Sequence, residues 1–117
     1  MQDERREHSR IRAYLPVRLH SAVSPHTIET LTKDLGAGGI RFVSPVLCPV
    51  STDVTVELLL SSQGQFTARG KLSWFHTIPE SEQFECGVIF TELSDENKRR
   101  LSAFFDHLPQ KSILYHS

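Results

Sequence analysis

Apolar and polar residues alternate along most of this chain, which is the pattern of strands that bury one face. Between residues 12 and 20 every second position is apolar, from Ala13 to Leu19. Pro16 lies inside this run, and because proline has no backbone N–H it indicates either an edge position or a bulge. We predict a first strand over residues 12–20 with one face in the core.

Five further segments have the length and composition of strands, and turn-forming residues separate them. They cover residues 26–35, 39–43, 54–60, 66–77 and 84–90. In the longest of them, strict alternation would place Trp74 on the same face as Gly70 and Leu72. Six short strands in succession favour a small antiparallel barrel or a closed sheet.

The period of the pattern changes near the C-terminus. Ser94 is a good helix N-cap, and two acidic residues follow it in the first turn, where the helix dipole favours them. An apolar face then repeats at helical spacing through Leu101, Phe104, Phe105 and Leu108. Pro109 ends the helix. We predict a helix that lies across one mouth of the barrel, with at least Phe105 in the core.

These elements predict one mainly β domain: a small six-stranded antiparallel β-barrel with one C-terminal α-helix. The length of 117 residues is enough for one core. We assign residues 1–11 to a flexible arm rich in arginine, residues 12–108 to the barrel with its closing helix, and residues 109–117 to a tail. The apolar residues of the tail are either a frayed terminus or a contact with a partner or a second copy.

Composition and charge argue against several functions. The net charge of −1 opposes a broad nucleic-acid surface, which would be basic overall. No apolar run is long enough to span a membrane, and the charged N-terminus is unlike a secretory signal. The two cysteines, Cys48 and Cys86, favour a reduced cytoplasmic protein, with a disulfide between them as the alternative.

Known catalytic and metal-binding patterns are absent from the sequence. It has no nucleophile elbow, no HExxH motif and no P-loop. Its six histidines show no metal-ligand spacing with each other or with either cysteine. We therefore expect a protein that is not an enzyme and that carries no metal and no cofactor.

The most distinctive stretch is a glycine-rich turn that begins with a carboxylate. Asp34 is followed by glycines at positions 36, 38 and 39, and then by a short alternating strand. Such a turn can direct several backbone N–H groups outward and bind an anion. Four arginines within eight residues precede or begin the first strand: Arg5, Arg6, Arg10 and Arg12. Together these features suggest a ligand with phosphates and a hydrogen-bonding base.

In this order, the signals resemble the PilZ domain, the bacterial receptor module for cyclic di-GMP. The RxxxR motif of that family is matched by Arg6 and Arg10, with Arg5 alongside. Residues 70–74 and 86–90, on two later strands, also resemble the family, as does the closing helix. The resemblance therefore extends over nearly the whole chain.

The second motif of the family, [D/N]xSxxG, is matched from Asp34 to Gly39 with one departure. Gly36 stands where the family has serine. The hydroxyl that would hydrogen-bond the ligand is therefore missing, although the N–H of Gly36 remains. The resemblance implies that this turn contacts the ligand, with Gly39 allowing close approach.

The resemblance also implies a role for each side chain. Arg6 and Arg10 would take the guanine Hoogsteen edges and the phosphates, since an arginine fork bonds guanine O6 and N7 or grips a phosphate. Asp34, which only accepts hydrogen bonds when ionised, suits the N1–H and N2–H donors of guanine. Trp74 would pack on a guanine if it faces the rim, and Arg41 would line the site.

Every one of these roles has a structural alternative. Arginines on a charged arm are often only solvated. Asp34 could begin a turn by bonding its own backbone, and the glycines could be needed only for positive φ. Trp74 could belong to the core and Arg41 to plain surface.

Three functional hypotheses follow. The first is a cyclic di-GMP receptor that orders its arm on binding and signals to a partner protein, with a homodimer as one form. The second is a barrel of the same fold that binds a partner protein and has lost the nucleotide. The third is a small barrel that binds RNA or DNA, which the net charge opposes.

Overall fold

A computed structural model describes residues 10–21, 27–60 and 64–108. The predicted arm up to residue 9 and the predicted tail 109–117 lie outside this part. The described residues form seven strands and one helix. These are β1 (Ile11–Arg12), β2 (Pro16–Ser21), β3 (Thr27–Gly36), β4 (Gly39–Ser44), β5 (Asp53–Leu59), β6 (Gln65–Thr77), β7 (Phe84–Glu92) and α1 (Asp95–Asp106).

Six of the strands form a closed antiparallel barrel, which confirms the predicted fold class. Neighbours follow the order β3, β2, β5, β6, β7, β4, and β4 pairs back onto β3. The short strand β1 is an addition to the six, and it pairs with the end of β3 through Ile11 and Leu35. Ile11 is buried, so the last residue assigned to the arm is joined to the barrel.

The predicted first strand is divided into β1 and β2 by an irregular segment. Opposite this segment, the buried hydroxyl of Thr32 accepts a hydrogen bond from Leu15 N at 3.0 Å and donates one to the Ala13 carbonyl. The register of β3 also shifts between Thr32 and Asp34. Pro16 is the first residue of β2, a position that tolerates proline although it cannot donate a backbone hydrogen bond to the sheet. The irregularity expected at Pro16 is therefore present.

Alternating apolar side chains fill the interior of the barrel, as the pattern predicts. Buried core residues come from all six barrel strands, and the largest fully buried side chains are Phe42, Phe66, Leu35, Ile40, Leu58, Leu60 and Leu72. The aromatic rings of Phe66 and Phe90 pack with centroids 5.5 Å apart. The core thus fixes which face of each strand points outward, and the outward faces are the ones available for a site.

The predicted common face of Leu72 and Trp74 is wrong. Leu72 pairs with Val88, but the register shifts before Trp74, which pairs with Gly87. One extra residue in β6 makes a bulge, and a bulge redirects the side chains that follow it. Phe75 then packs against the core, and Trp74 lies on the outer side over Gly87.

Helix α1 packs against the beginning of β6. Its N-cap is Ser94, whose hydroxyl accepts a hydrogen bond from Asn97 N at 3.1 Å, as predicted. Arg100 Nη1 donates to the Gln65 carbonyl at 2.8 Å, which ties the helix to the strand. The expectation for Phe105 needs correction: Phe104 is the buried ring, and Phe105 is only half-buried at the edge of the core. In the described ranges no helix is long and apolar enough to cross a bilayer.

Candidate functional site

The glycine turn is a tight hairpin that brings charged residues of three strands together. Gly36 pairs with Gly39, so only two residues connect β3 to β4. On the same hairpin Asp34 pairs with Arg41, and β1 places Arg12 across from Asp34. Arg10, which immediately precedes β1, therefore reaches the Asp34 carboxylate.

Asp34 is held between two guanidinium groups. Its Oδ1 accepts a hydrogen bond from Arg10 Nε at 2.7 Å, and its Oδ2 lies 2.7 Å from Arg41 Nη2. The side chain is only 9% exposed, so the two arginines supply the compensation that a buried carboxylate needs. Both of its oxygens face other side chains rather than the backbone of its own turn. The alternative in which Asp34 bonds its own backbone is therefore not what the structure contains.

The charge network continues through Glu85 on β7. Its Oε2 lies 3.3 Å from Arg41 Nη1 and 3.3 Å from Lys33 Nζ. Arg41 thus bridges two carboxylates, while its buried Nε has no hydrogen-bond partner among the described residues. Sequence reasoning missed Glu85 and Lys33. The outward position of Glu85 on its strand was readable, but its place beside Arg41 depends on how β7 pairs with β4.

An open cleft of about 510 Å³ lies over this network. It brings together five of the residues predicted from sequence, which are Arg10, Asp34, Gly39, Arg41 and Trp74. Gly36 does not line the cleft. It lies beneath the side chain of Arg10, since a Cβ at Gly36 would be 3.2 Å from Arg10 Cγ. Arg5 and Arg6 lie outside the described residues. The cleft also includes the exposed side chain of Ile89 and the backbone of Gly87, which the sequence did not suggest.

Trp74 forms one wall of the cleft and rests on a glycine. A Cβ at Gly87 would lie 2.2 Å from the indole Nε1, so only glycine permits this ring position. The indole contacts His76, with ring centroids 5.0 Å apart. Of the two alternatives for Trp74, core or rim, the structure therefore has the rim.

The glycines of the hairpin are not explained by positive φ. Among the described glycines only Gly64 has a left-handed φ, at 78°. Gly39 is needed for packing instead, because a Cβ there would lie 2.1 Å from the Val88 carbonyl oxygen. A side chain at Gly38 would meet nothing within 4 Å. The hypothesis that Gly38 and Gly39 serve φ is therefore wrong.

The thiols and imidazoles do not form a second chemical centre in the described part of the chain. Burial, followed by the charges of Cys48 and Glu85, raises the pKa of Cys86 to about 11. Burial also raises the pKa of Cys48, against a hydrogen bond to Ser44 that lowers it. Both thiols are protonated and weakly nucleophilic at neutral pH. The described residues contain no cluster of three or more groups that could hold a metal ion.

A second groove of about 540 Å³ crosses the outer face of β2, β3 and β5. Its charges are already paired within one row, since Arg18 lies 3.1 Å from Glu29 and 3.8 Å from Glu57. None of the described residues that line it is aromatic, so it offers no ring on which a base could stack. The cleft at Asp34 is therefore the better candidate site, although the two are of similar size.

The domain is therefore a closed β-barrel whose cleft, beside a glycine hairpin, combines a carboxylate with arginine side chains. The family model for the PilZ domain matches residues 4–107, so this chain belongs to the PilZ domain family. The resemblance seen in the sequence is thereby confirmed. A search of curated proteins found no match to this chain.

Solved structures agree with this assignment. YcgR of Escherichia coli in complex with c-di-GMP is similar with a TM-score of 0.74 and 17% identity, over 96% of this chain and 49% of that chain. The PilZ domain of E. coli YcgR with c-di-GMP gives 0.67 and 18%, over 87% and 90%. The Bacillus subtilis inhibitor of motility MotI gives 0.68 and 16%, over 86% and 51%. This chain thus spans about half the length of MotI, and these identities show the fold alone.

Proposed function

We propose that this chain is a cyclic di-GMP receptor domain and that the cleft over Asp34 is its binding site. The observation that carries the proposal is the position of Asp34 between Arg10 and Arg41, with Trp74 across the cleft. Membership of the PilZ family supports it, as do the similar structures of E. coli YcgR with c-di-GMP.

The chemistry of Asp34 suits a guanine. Its carboxylate already accepts from the N–H of one guanidinium and lies beside another, and guanine offers similar N–H donors at N1 and N2. Adenine has no donor at N1 and no amino group at C2, so the same carboxylate would discriminate against it. Asp34 would therefore select guanine.

The rest of the cleft suits phosphates and a stacked base. Arg10 is about half-exposed and can turn toward a phosphate or toward guanine O6 and N7. The arm that carries Arg5 and Arg6 immediately precedes it. Trp74 offers an indole face at the rim, on which a guanine would pack.

We predict that Arg10→Ala weakens cyclic di-GMP binding by about 2 kcal/mol, or roughly 30-fold, because a bidentate contact is lost. The melting temperature without ligand should barely change, since Arg10 is about half-exposed and Asp34 keeps its ion pair with Arg41. Isothermal titration and thermal melting measure the two effects. The matched control is Arg69→Ala, which removes an exposed, ion-paired arginine of β6 outside the cleft. Equal affinities for these two variants would contradict a ligand role for Arg10.

We also propose that binding orders the arm and creates a surface for a partner protein, by a disorder-to-order change. Arg5 and Arg6 would close over the bound nucleotide from the side of Arg10. Hydrogen exchange measured by mass spectrometry tests this, with slower exchange in residues 1–9 expected when ligand is present. Unchanged exchange in residues 1–9 at saturating ligand would contradict the proposal that binding orders the arm. A cytoplasmic location follows from the proposal, since cyclic di-GMP is an intracellular messenger.

Gly36 favours a second candidate function, in which the fold is kept for a protein partner and nucleotide binding is lost. The missing hydroxyl is worth roughly 0.5–1.5 kcal/mol for a neutral bond and about 1.5–3 kcal/mol for one to a charged group. Removing it should weaken binding by roughly three- to a hundred-fold rather than abolish it. No binding by the wild-type chain at concentrations that saturate a control receptor would favour this second function.

We predict that Gly36→Ser tightens cyclic di-GMP binding, by up to the same factor, with little change in melting temperature. The φ of Gly36 is not left-handed, and the nearest atoms to a new Cβ belong to the flexible side chain of Arg10, at 3.2 Å. Gly36→Ala is the matched control, since it fills the same space without a hydroxyl. If serine binds no tighter than alanine, or if it lowers the melting temperature, the missing-contact explanation is wrong.

A further inference from the structure

The two arginines that hold Asp34 are anchored very differently. Within the described ranges, Arg10 makes one ion pair, with Asp34, and its side chain is 47% exposed. Arg41 is 35% exposed and makes two ion pairs with described residues, one with Asp34 and one with Glu85. Glu85 is itself held by Lys33 at 3.3 Å. Arg41 therefore lies inside a chain of charges across three strands, whereas Arg10 lies at the end of that chain.

We infer that Arg41 and Glu85 are positioning residues for Asp34, and that Arg10 is the partner which guanine replaces. This inference rests on the proposed function and deepens it. In the free protein, Arg10 Nε donates a hydrogen bond to Asp34 Oδ1. A guanine N–H would make the same hydrogen bond in the complex. When the ligand arrives, guanine takes over this oxygen and Arg10 turns to the ligand. Arg41 stays in place and keeps the carboxylate fixed.

The energetics favour exchange at Arg10 over exchange at Arg41. Among the described residues, displacing Arg10 breaks one half-exposed contact, and the ligand provides new acceptors for its guanidinium. Displacing Arg41 would also disturb its contact with Glu85, and would leave that partly buried carboxylate with Lys33 as its one cation among the described residues. The less costly exchange is the one at Oδ1.

Charge balance points the same way. The ion pairs described above join three cations, Arg10, Arg41 and Lys33, to two carboxylates, Asp34 and Glu85. While Arg10 lies on Asp34, most of this charge is paired internally. Once guanine occupies Oδ1, the guanidinium of Arg10 is released beside the cleft, where an anionic nucleotide needs it. The replacement of Arg10 by guanine at Asp34 thus gives the base a hydrogen-bond acceptor and frees a guanidinium to pair with a phosphate.

The experiment compares Glu85→Gln with wild type in titrations against cyclic di-GMP and cyclic di-AMP. Removing the charge of Glu85 loosens Arg41 and, through it, Asp34, so we expect affinity for the guanine ligand to fall about tenfold. The ratio of the affinities for cyclic di-GMP and cyclic di-AMP should become smaller, because the Asp34 carboxylate that contacts the base is no longer held in place. A purely structural role would lower the melting temperature or weaken both ligands equally, and either result overturns the inference.

Glu57→Gln is the matched control. Glu57 is an ion-paired strand carboxylate with 30% of its side chain exposed, against 23% for Glu85, but it lies on the other groove. It should bind both ligands as wild type does. A Glu85→Gln variant that also behaves as wild type overturns the inference.

Arg10→Ala separates the two roles further. It should weaken binding of the guanine ligand but keep the preference for guanine, since Asp34 remains held by Arg41. If Arg10→Ala loses the preference for guanine over adenine and Glu85→Gln keeps it, then Arg10 is the residue that positions Asp34. That result would overturn the roles assigned to Arg10 and Glu85.

If the wild-type chain binds no cyclic di-GMP, the proposed receptor function is wrong, and this inference is wrong with it. Failure in the variants alone overturns only the inference.

Discussion

Replacing Phe104 with alanine is expected to lower the free energy of unfolding by about 3–5 kcal/mol, the usual cost of removing a buried aromatic ring. Phe104 is 6% exposed and lies in the core with Leu101, which is 4% exposed. These two are the buried residues of α1. The loss should be seen as a lower denaturation midpoint in urea, measured without ligand.

Phe105→Ala provides the control for this experiment, because the two rings are neighbours on one helix and their centroids lie 6.0 Å apart. Phe105 is only half-buried, so its removal leaves a smaller cavity and should cost clearly less. Losses of equal size, or a larger loss for Phe105, would mean that the helix docks through the other ring.

Gly39→Ala should cost about 3 kcal/mol of stability, a large effect for one added methyl group. The new Cβ would lie 2.1 Å from the Val88 carbonyl oxygen and 3.1 Å from its carbon. These are backbone atoms of β7 in the ladder with β4, so no side-chain rotation can relieve the clash. Chemical denaturation of the ligand-free protein measures the loss.

Gly38→Ala isolates this packing effect from the chemistry of the turn. It adds the same methyl group one residue earlier, where nothing lies within 4 Å, and should change stability by less than about 0.5 kcal/mol. If Gly39 served only close approach of the ligand, both variants would be as stable as wild type. That result would contradict the packing role.

The barrel was predictable because each strand buries one face, and a period of two in the sequence records that burial directly. The same pattern cannot register a bulge, since one extra residue leaves the composition of a strand unchanged. The error at Trp74 arises this way, because the extra residue in β6 turns its side chain outward. The irregularity in the first strand was foreseeable only because a proline marks it.

The helix shows a related limit. Periodicity places Phe104 and Phe105 on one apolar face, separated by only about 100° around the axis. Which of them is deeper depends on how α1 is rotated against β6. That rotation is fixed by contacts such as the one from Arg100 to the Gln65 carbonyl, and no local pattern encodes it.

For the candidate site, the sequence supplied the residues of two motifs but not their partners. Asp34 and Arg41 are close in the chain, and a hairpin turn between them makes a contact foreseeable. Glu85 is more than forty residues away, and only the pairing of β7 with β4 brings it beside Arg41. Long-range strand register is what a single sequence determines least well.

The position of Trp74 has a practical consequence. The sequence contains a single tryptophan, and it forms a wall of the cleft with its indole resting on Gly87. All tryptophan fluorescence of the domain therefore originates at this one surface. A nucleotide that stacks on the indole should quench that emission, whereas an event on the far side of the barrel should leave it unchanged. The unlabelled protein thus carries its own optical reporter of occupancy.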